Sequence, residues 1–160
     1  MDTNRVKMDV YESFPELMEV VKATAICREV GVTSAWLNGK LHRNANSKYS
    51  IRKFSAEDVQ KLNEGVWSVA RKLMAANIEY SEDRQLVIDQ IKERYADVFM
   101  KQIAIQKMGW SEGKIKSCMV KSSSKGRYMT FGKQEVQQLV LAVREVAARM
   151  LSIEYCVSED

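Results

Sequence analysis

The chain has 160 residues and a formal net charge of +4, from 25 Lys and Arg against 21 Asp and Glu. Apolar residues make up 46% and charged residues 29%, which is typical of a globular protein and excludes a disordered chain. No apolar run approaches the length of a membrane span, and the N-terminus lacks a signal peptide's apolar core. We therefore expect a cytoplasmic protein that does not enter a membrane. One proline and many helix-forming residues predict an all-α fold.

The sequence repeats itself at an offset of 77 or 78 residues. Gly31 aligns with Gly109, and Phe54 aligns with Phe131. The order of matches continues with Val59 and Val136, Leu62 and Leu139, Val66 and Val143, Ala70 and Ala147, and Leu73 and Met150. An ordered series at a nearly constant offset indicates an internal duplication. We predict two tandem small helical bundles, copy one at residues 1–80 and copy two at residues 81–160.

Four helices are predicted in copy one. The first begins at a capping box of Ser13 and Glu16 and runs toward Lys22. The second runs from about Thr24 to Val30 and stops at Gly31, a residue that favours the left-handed turn after a helix. The third follows a cap at Thr33 or Ser34 and continues to about His42. The fourth begins after Ser55, which has Asp58 three residues on, and buries a stripe of Val59, Leu62, Val66, Val69, Ala70 and Leu73.

Copy two follows the same plan. Its predicted helices span about residues 82–99, 101–108, 111–120 and 133–152. The apolar positions of the first of these are Leu86, Ile88, Ile91, Tyr95, Val98 and Phe99.

The second and third helices of copy one have the pattern of a helix-turn-helix. Gly31 is placed to turn the chain, and Val32 to fill the angle between the helices. The stretch GVTSAWLNGKL resembles the Cro/repressor family, whose motifs often read G-V-x-x-x-x-I-N-x-x-[IL]. This resemblance implies a compact bundle in each copy, with residues 33–42 as the recognition helix of copy one. Copy two keeps Gly109, but Glu112 and Gly113 depart from the family pattern at the start of its recognition helix.

A recognition helix needs one apolar face and one polar face that is free of acid. With Leu37 and Leu41 facing inward, the residues of copy one expected to contact DNA bases are Thr33, Ser34, Asn38 and His42. In copy two the base-contact candidates are Lys116 and Ser117.

The charges are separated along the chain. From Val30 through Ala56, and again from Gly113 through Gln134, there is no Asp or Glu, and the two windows contain 11 of the 25 basic residues. Both windows cover a predicted recognition helix and the segment after it, where phosphate binding needs positive charge. The expected phosphate contacts are Lys40, Arg43, Lys48, Arg52, Lys53, Lys121, Lys125 and Arg127.

These features together predict sequence-specific binding of double-stranded DNA, in the manner of a transcriptional regulator. We expect no enzyme, because the only histidine is His42 and no catalytic constellation is readable. No cofactor or metal site is expected either. The alternatives are a protein-interaction adaptor on the same helical fold and, ranked third, an RNA-binding protein. A buried Trp36 would be a core residue, whereas an exposed Trp36 would favour a protein partner or stacking on a nucleic acid. Monomer and homodimer both remain open.

Overall fold

Helices dominate the fold, in agreement with the composition. The computed structural model describes residues 5–41, 54–119 and 131–157, and within these ranges it contains eight helices and one two-stranded sheet. The elements of copy one are β1 (Val6–Asp9), α1 (Val10–Leu17), α2 (Ala23–Val30), α3 (Ser34–Leu41) and α4 (Ala56–Ala75). Those of copy two are α5 (Arg84–Arg94), α6 (Met100–Lys107), α7 (Glu112–Met119), α8 (Lys133–Ser152) and β2 (Ile153–Cys156).

The two long helices, α4 and α8, confirm their predictions. Ser55 Oγ accepts a hydrogen bond from the Asp58 N–H, and Asp58 Oδ2 accepts one from the Ser55 N–H, so α4 begins at a capping box. In α8 the carboxylate of Glu135 accepts a hydrogen bond from the Gly132 N–H. The stripe predicted for α4 is buried along its whole length.

The predicted limits of the first helix in each copy are wrong. Helix α1 begins at Val10, because the Asp9 carboxylate accepts a hydrogen bond from the Glu12 N–H and caps the helix there. Ser13 therefore lies inside α1 and not at its start. Helix α5 ends at Arg94, short of the predicted Phe99, and two of the apolar positions assigned to this helix, Leu86 and Phe99, are 52% and 42% exposed.

A short antiparallel bridge joins the two copies at residues that the repeat makes equivalent. Val21 pairs with Val98, which lies 77 residues later in the sequence. Two backbone hydrogen bonds of 2.8 Å flank this pair, one from the Lys22 N–H to the Asp97 carbonyl and one from the Phe99 N–H to the Val20 carbonyl. Lys22 corresponds to Phe99 at the repeat offset of 77, and Val20 corresponds to Asp97. Each of the two bonds is therefore the equivalent of the other, and each copy makes the same contact with its neighbour. This pairing explains why the helix prediction fails between residues 95 and 99.

The all-α prediction misses one parallel sheet. Strand β1 pairs with β2, with Val6 opposite Ile153 and Asp9 opposite Cys156. Each strand has four residues, too few for a periodicity that separates a strand from a helix. Each strand forms only because the other, at the opposite end of the described chain, lies beside it.

Buried side chains of both copies form one cluster. Helix α4 packs against α8 and against α2. Val66 and Val143, which the repeat makes equivalent, are both fully buried. The core therefore continues from one copy into the other, and the division of the chain at residues 80 and 81 stays a prediction.

The contact between α2 and α4 is unusually close at Gly65. A methyl group on Gly65 would lie 2.8 Å from the carbonyl oxygen of Ile26 and 3.0 Å from its Cγ2. These distances are shorter than van der Waals contact, and the first involves backbone, which cannot easily move away. Gly65 therefore allows α2 to lie directly on α4, and this contact fixes the position of the predicted helix-turn-helix.

Candidate nucleic-acid interface

The turn between α2 and α3 has the predicted geometry. Gly31 follows α2 with φ +70° and ψ 31°, a left-handed conformation that suits glycine. The N–H groups of Gly31 and Val32 both donate hydrogen bonds to the carbonyl of Cys27, so this carbonyl at the end of α2 has its partners within the turn. Val32 is partly buried against the core, as expected of the residue that fills the angle.

Helix α3 has one buried and one exposed side. The Thr33 hydroxyl oxygen accepts a hydrogen bond from the Trp36 N–H at 3.0 Å and caps the helix. Leu37 is fully buried, and Leu41 packs partly buried against the same core. The exposed residues are Thr33, Ser34, Ala35 and Asn38. Three of the four base contacts predicted in copy one are therefore accessible together on an acid-free helix.

Lys40 has a partner inside the protein. Its ammonium lies 2.8 Å from Asp58 Oδ2, and the two side chains are only 17% and 23% exposed. Partial burial opposes ionisation of Asp58, but hydrogen bonds from Lys40 and Ser55 outweigh it and lower the pKa of this carboxyl. Asp58 also belongs to the capping box of α4, so the ion pair fastens the end of α3 to the start of α4.

Phe54, which precedes α4, packs against aromatic rings of α3 and α1. Phe54 is buried, and its ring centroid lies 6.1 Å from that of Trp36 and 5.6 Å from that of Tyr11. The Phe54 N–H also donates a hydrogen bond to the Tyr11 hydroxyl. The chain thus leaves α3 at Leu41 and returns beside it at Phe54. The predicted contacts between these points lie outside the described residues: His42, Arg43, Lys48, Arg52 and Lys53.

Trp36 is half-buried, which fits neither a core residue nor an exposed one. One edge of the ring meets Phe54, and the Lys40 ammonium lies 5.5 Å from the ring centroid. Trp36 therefore packs between α3 and Phe54, and its partial exposure does not by itself favour the adaptor.

Copy two repeats the turn. Gly109 has φ +71°, the Trp110 N–H donates to the Ala104 carbonyl, and Ser111 Oγ accepts a hydrogen bond from the Lys114 N–H at the start of α7. Ile115 and Cys118 bury the inner side of α7.

The outer side of α7 differs from that of α3. Glu112 in its first turn is exposed and pairs with Lys101 of α6 at 2.8 Å, and this hydrogen bond lowers the pKa of Glu112. Lys116 is exposed, whereas Ser117 is partly buried and its carbonyl accepts a hydrogen bond from Arg84. The predicted phosphate contacts Lys121, Lys125 and Arg127 lie outside the described residues.

Sequence reasoning missed two residues that position the candidate interface. Gly65 allows α2 to approach α4, and its signal was visible as an isolated glycine within a helical pattern. The carboxylate of Glu29 on α2 accepts hydrogen bonds from Ser68 and from Lys72, the latter at 2.6 Å. Gly65 and Glu29 therefore both stabilise the packing of α2 on α4. Nothing in the local sequence indicated the contact of Glu29 with Ser68 and Lys72.

No protein-family model, curated protein or solved structure matches the chain. Among the described residues there is no helix with both the length and the apolar character needed to cross a membrane. The same ranges contain no group of three or more His, Cys, Asp or Glu side chains arranged to hold a metal ion. The resemblance to the Cro/repressor family depends on the residues of copy one alone.

Proposed function

We propose that the protein binds double-stranded DNA in a sequence-specific manner, without catalysis, as a transcriptional regulator. The observation that carries this proposal is the arrangement of α3. It follows a left-handed turn at Gly31, buries Leu37 completely, and leaves Thr33, Ser34 and Asn38 exposed on an acid-free helix. A helix in the major groove reads bases with side chains of this kind, because hydroxyls and amides match the donors and acceptors at base edges.

The distribution of charge supports contact with phosphate. The two acid-free windows contain 11 basic residues, and the rest of the chain has 14 basic and 21 acidic residues. A net positive window beside each recognition helix would neutralise phosphates and release counterions. Lys40 already has a carboxylate partner, so we assign the main phosphate contact next to α3 to Arg43.

We propose further that the chain contains two helix-turn-helix units related by a local two-fold axis. The support is the bridge between Val21 and Val98, whose flanking hydrogen bonds are exchanged by the repeat offset. Reciprocal contacts of this kind characterise two-fold interfaces. A helix-turn-helix dimer binds half-sites about 34–36 Å apart, and one chain with this symmetry would bind two half-sites in the same way.

The two half-sites are expected to differ. Helix α7 presents Lys116 where α3 presents Asn38, and Glu112 adds an exposed carboxylate to its first turn. A carboxylate there repels phosphate and accepts hydrogen bonds only from a base donor such as the cytosine amino group. The half-site of copy two therefore contributes less to affinity than that of copy one.

The test is selection of bound sequences from a random DNA pool by the full chain, followed by affinity measured against salt concentration. Two unlike half-sites about one helical turn apart support the whole proposal. A single half-site supports DNA binding by copy one only. Salt-sensitive binding without a preferred sequence contradicts the assignment as a regulator. Absence of binding at low salt contradicts DNA binding altogether.

A second candidate function is a protein-interaction adaptor. Four large apolar side chains of copy two are more than a third exposed: Leu86, Phe99, Ile105 and Leu141. Val6 and Tyr80 of copy one are also more than a third exposed, and exposed apolar side chains favour contact with another protein where they form a contiguous patch. If the DNA selection fails, a pull-down with Leu141→Gln and Phe99→Gln variants tests this function.

A further inference from the structure

Helices α6 and α8 of copy two border a cleft of about 240 Å³. Leu141 lines this cleft and is 57% exposed, whereas Ala142 next to it is buried. Met108 lines the α6 side and is partly buried against the core. The other lining residues are polar: Lys107, Gln138 and Glu145. The cleft therefore combines apolar side chains with one charge of each sign.

The equivalent region of copy one is closed and polar. Gly65 is the counterpart of Ala142 at the repeat offset of 77, and it allows α2 to lie directly on α4. The counterpart of Leu141 is Glu64, which is exposed. The same fold therefore hides its helix contact and presents a carboxylate in copy one, but it opens a cleft beside an exposed leucine in copy two. An exposed apolar group at one of two equivalent positions indicates a surface that is used for contact.

The two charges of the cleft lack partners within the chain. In copy one, the Glu29 carboxylate accepts a hydrogen bond from the Ser68 hydroxyl across the contact of α2 with α4. The counterparts of these residues in copy two are Lys107 and Glu145, so the two charges border the cleft from opposite helices. Both residues are exposed, and neither forms an ion pair with another residue of the described ranges. Both charges are therefore free to pair with a second molecule.

A surface of this composition is complementary to itself. A two-fold axis that passes between Lys107 and Glu145 brings Lys107 of one chain opposite Glu145 of the other, and it does so twice. The same rotation turns the two clefts toward each other, with an exposed leucine at each. A partner with a single sign of charge, such as DNA, would meet a like charge at this surface. The charges therefore favour a second copy of this chain as the occupant.

We propose that the chain forms a two-fold homodimer through this cleft. Leu141 of each chain would enter the cleft of the other, against Met108 and Ala142, and Lys107 would pair with Glu145 across the axis. A contact of this small size forms a transient dimer that depends on concentration. The inference does not depend on DNA binding, since neither the surface nor its test involves DNA.

Sedimentation equilibrium of the full chain at micromolar to millimolar concentrations measures the dimer. We expect the average mass to rise with concentration from 18.3 kDa toward twice that value. Leu141→Gln should raise the dissociation constant of the dimer about tenfold or more, because the two-fold axis repeats the loss of this apolar contact. Leu86→Gln is the matched control and should dimerise like the wild type, because Leu86 is 52% exposed but lies on α5 and does not line the cleft.

Charge reversal tests the orientation of the two chains. Lys107→Glu and Glu145→Lys should each weaken self-association, because each variant opposes like charges twice across the axis. An equal mixture of the two variants should dimerise again, since each contact across the axis then joins opposite charges. Lys92→Glu and Glu93→Lys, both at exposed positions of α5, are controls for the change in net charge and should dimerise like the wild type.

The proposal is overturned if the chain stays monomeric throughout this range, which would leave the cleft to a different protein. It is overturned equally if the Leu141 variant dimerises as well as the Leu86 variant, or if the mixture of reversed variants associates no better than either variant alone. Recovery in the mixture requires that both variants fold, so this measurement separates the loss of a contact from a loss of folding.

Discussion

The side-chain amide of Asn63 forms two hydrogen bonds with the backbone of Tyr155. Asn63 Nδ2 donates to the Tyr155 carbonyl at 2.9 Å, and Asn63 Oδ1 accepts from the Tyr155 N–H at 2.8 Å. Asn63 is 4% exposed and lies in the middle of α4, whereas Tyr155 belongs to β2. The amide thus forms with β2 the pair of hydrogen bonds that a neighbouring strand would form, and it joins the end of copy two to α4 of copy one.

Asn63→Ala should lower the free energy of unfolding by about 3 kcal/mol, because it leaves a buried N–H and a buried carbonyl without partners. Gln90 provides a matched control. It makes the same pair of bonds to the Glu79 backbone, but at an exposed position. Gln90→Ala should cost about 1 kcal/mol or less, since water replaces the lost bonds. Urea unfolding of both variants measures the difference, and equal losses would refute this account.

Gly65→Ala should destabilise the protein by about 1–2 kcal/mol, although alanine is the better helix former. The added methyl group would meet the Ile26 carbonyl at 2.8 Å and push α2 away from α4. Gly113→Ala on α7 is the control, because its methyl group would meet nothing closer than Ser111 Oγ at 3.9 Å. It should stabilise the fold by about 0.5 kcal/mol. Thermal unfolding of the two variants should shift in opposite directions.

Glu29→Gln should cost stability at neutral pH but not in acid. Hydrogen bonds from Lys72 and Ser68 lower the pKa of Glu29 below its value in the unfolded chain. The contribution of the carboxylate is therefore fully present above the unfolded value of about 4.3, and it is lost as the pH falls through the lower folded value. Lys72 is 62% exposed, so we expect about 1 kcal/mol or less at pH 7.

The measurement for Glu29 is urea unfolding of wild type and variant across the pH range. Their difference should shrink on acidification below the unfolded pKa. A difference that stays constant or grows in acid would contradict the ionised contact with Lys72.

Asn38→Ala should relax the DNA sequence preference at one base position and weaken the selected site by about 1–3 kcal/mol. Asn38 is exposed on α3, and its amide is suited to a bidentate contact with adenine. Gln137→Ala, an exposed amide on α8, is the control and should leave binding unchanged. A second selection with the Asn38 variant checks the result, and an unchanged preference would remove Asn38 from the base contacts.

Arg43→Ala should weaken binding to all DNA sequences alike and reduce the slope of log affinity against log salt by about one. This pattern identifies a phosphate contact, because phosphates carry no sequence information. Lys40→Ala provides a comparison. It should mainly lower stability by leaving Asp58 unpaired, which an unfolding experiment measures separately from affinity.

Features that arise from neighbouring residues could be predicted from the sequence. The capping box of Ser55 and Asp58, the left-handed glycine after α2 and the buried stripe of α4 all involve residues within one or two helical turns. Side-chain spacing and backbone preference decide such features locally. The exposed residues of α3 and the concentration of positive charge next to it follow from the same local pattern.

Contacts between distant residues could not be predicted in this way. Strand β1 exists because β2 lies beside it, α5 ends early because Asp97 and Phe99 pair with copy one, and Lys40 is held by a carboxylate of α4. Each depends on the free energy of an interaction with a partner far along the chain, which no local window contains. The duplicated pattern made two similar units predictable, whereas their joining through Val21 and Val98 became visible only once the helices were packed together.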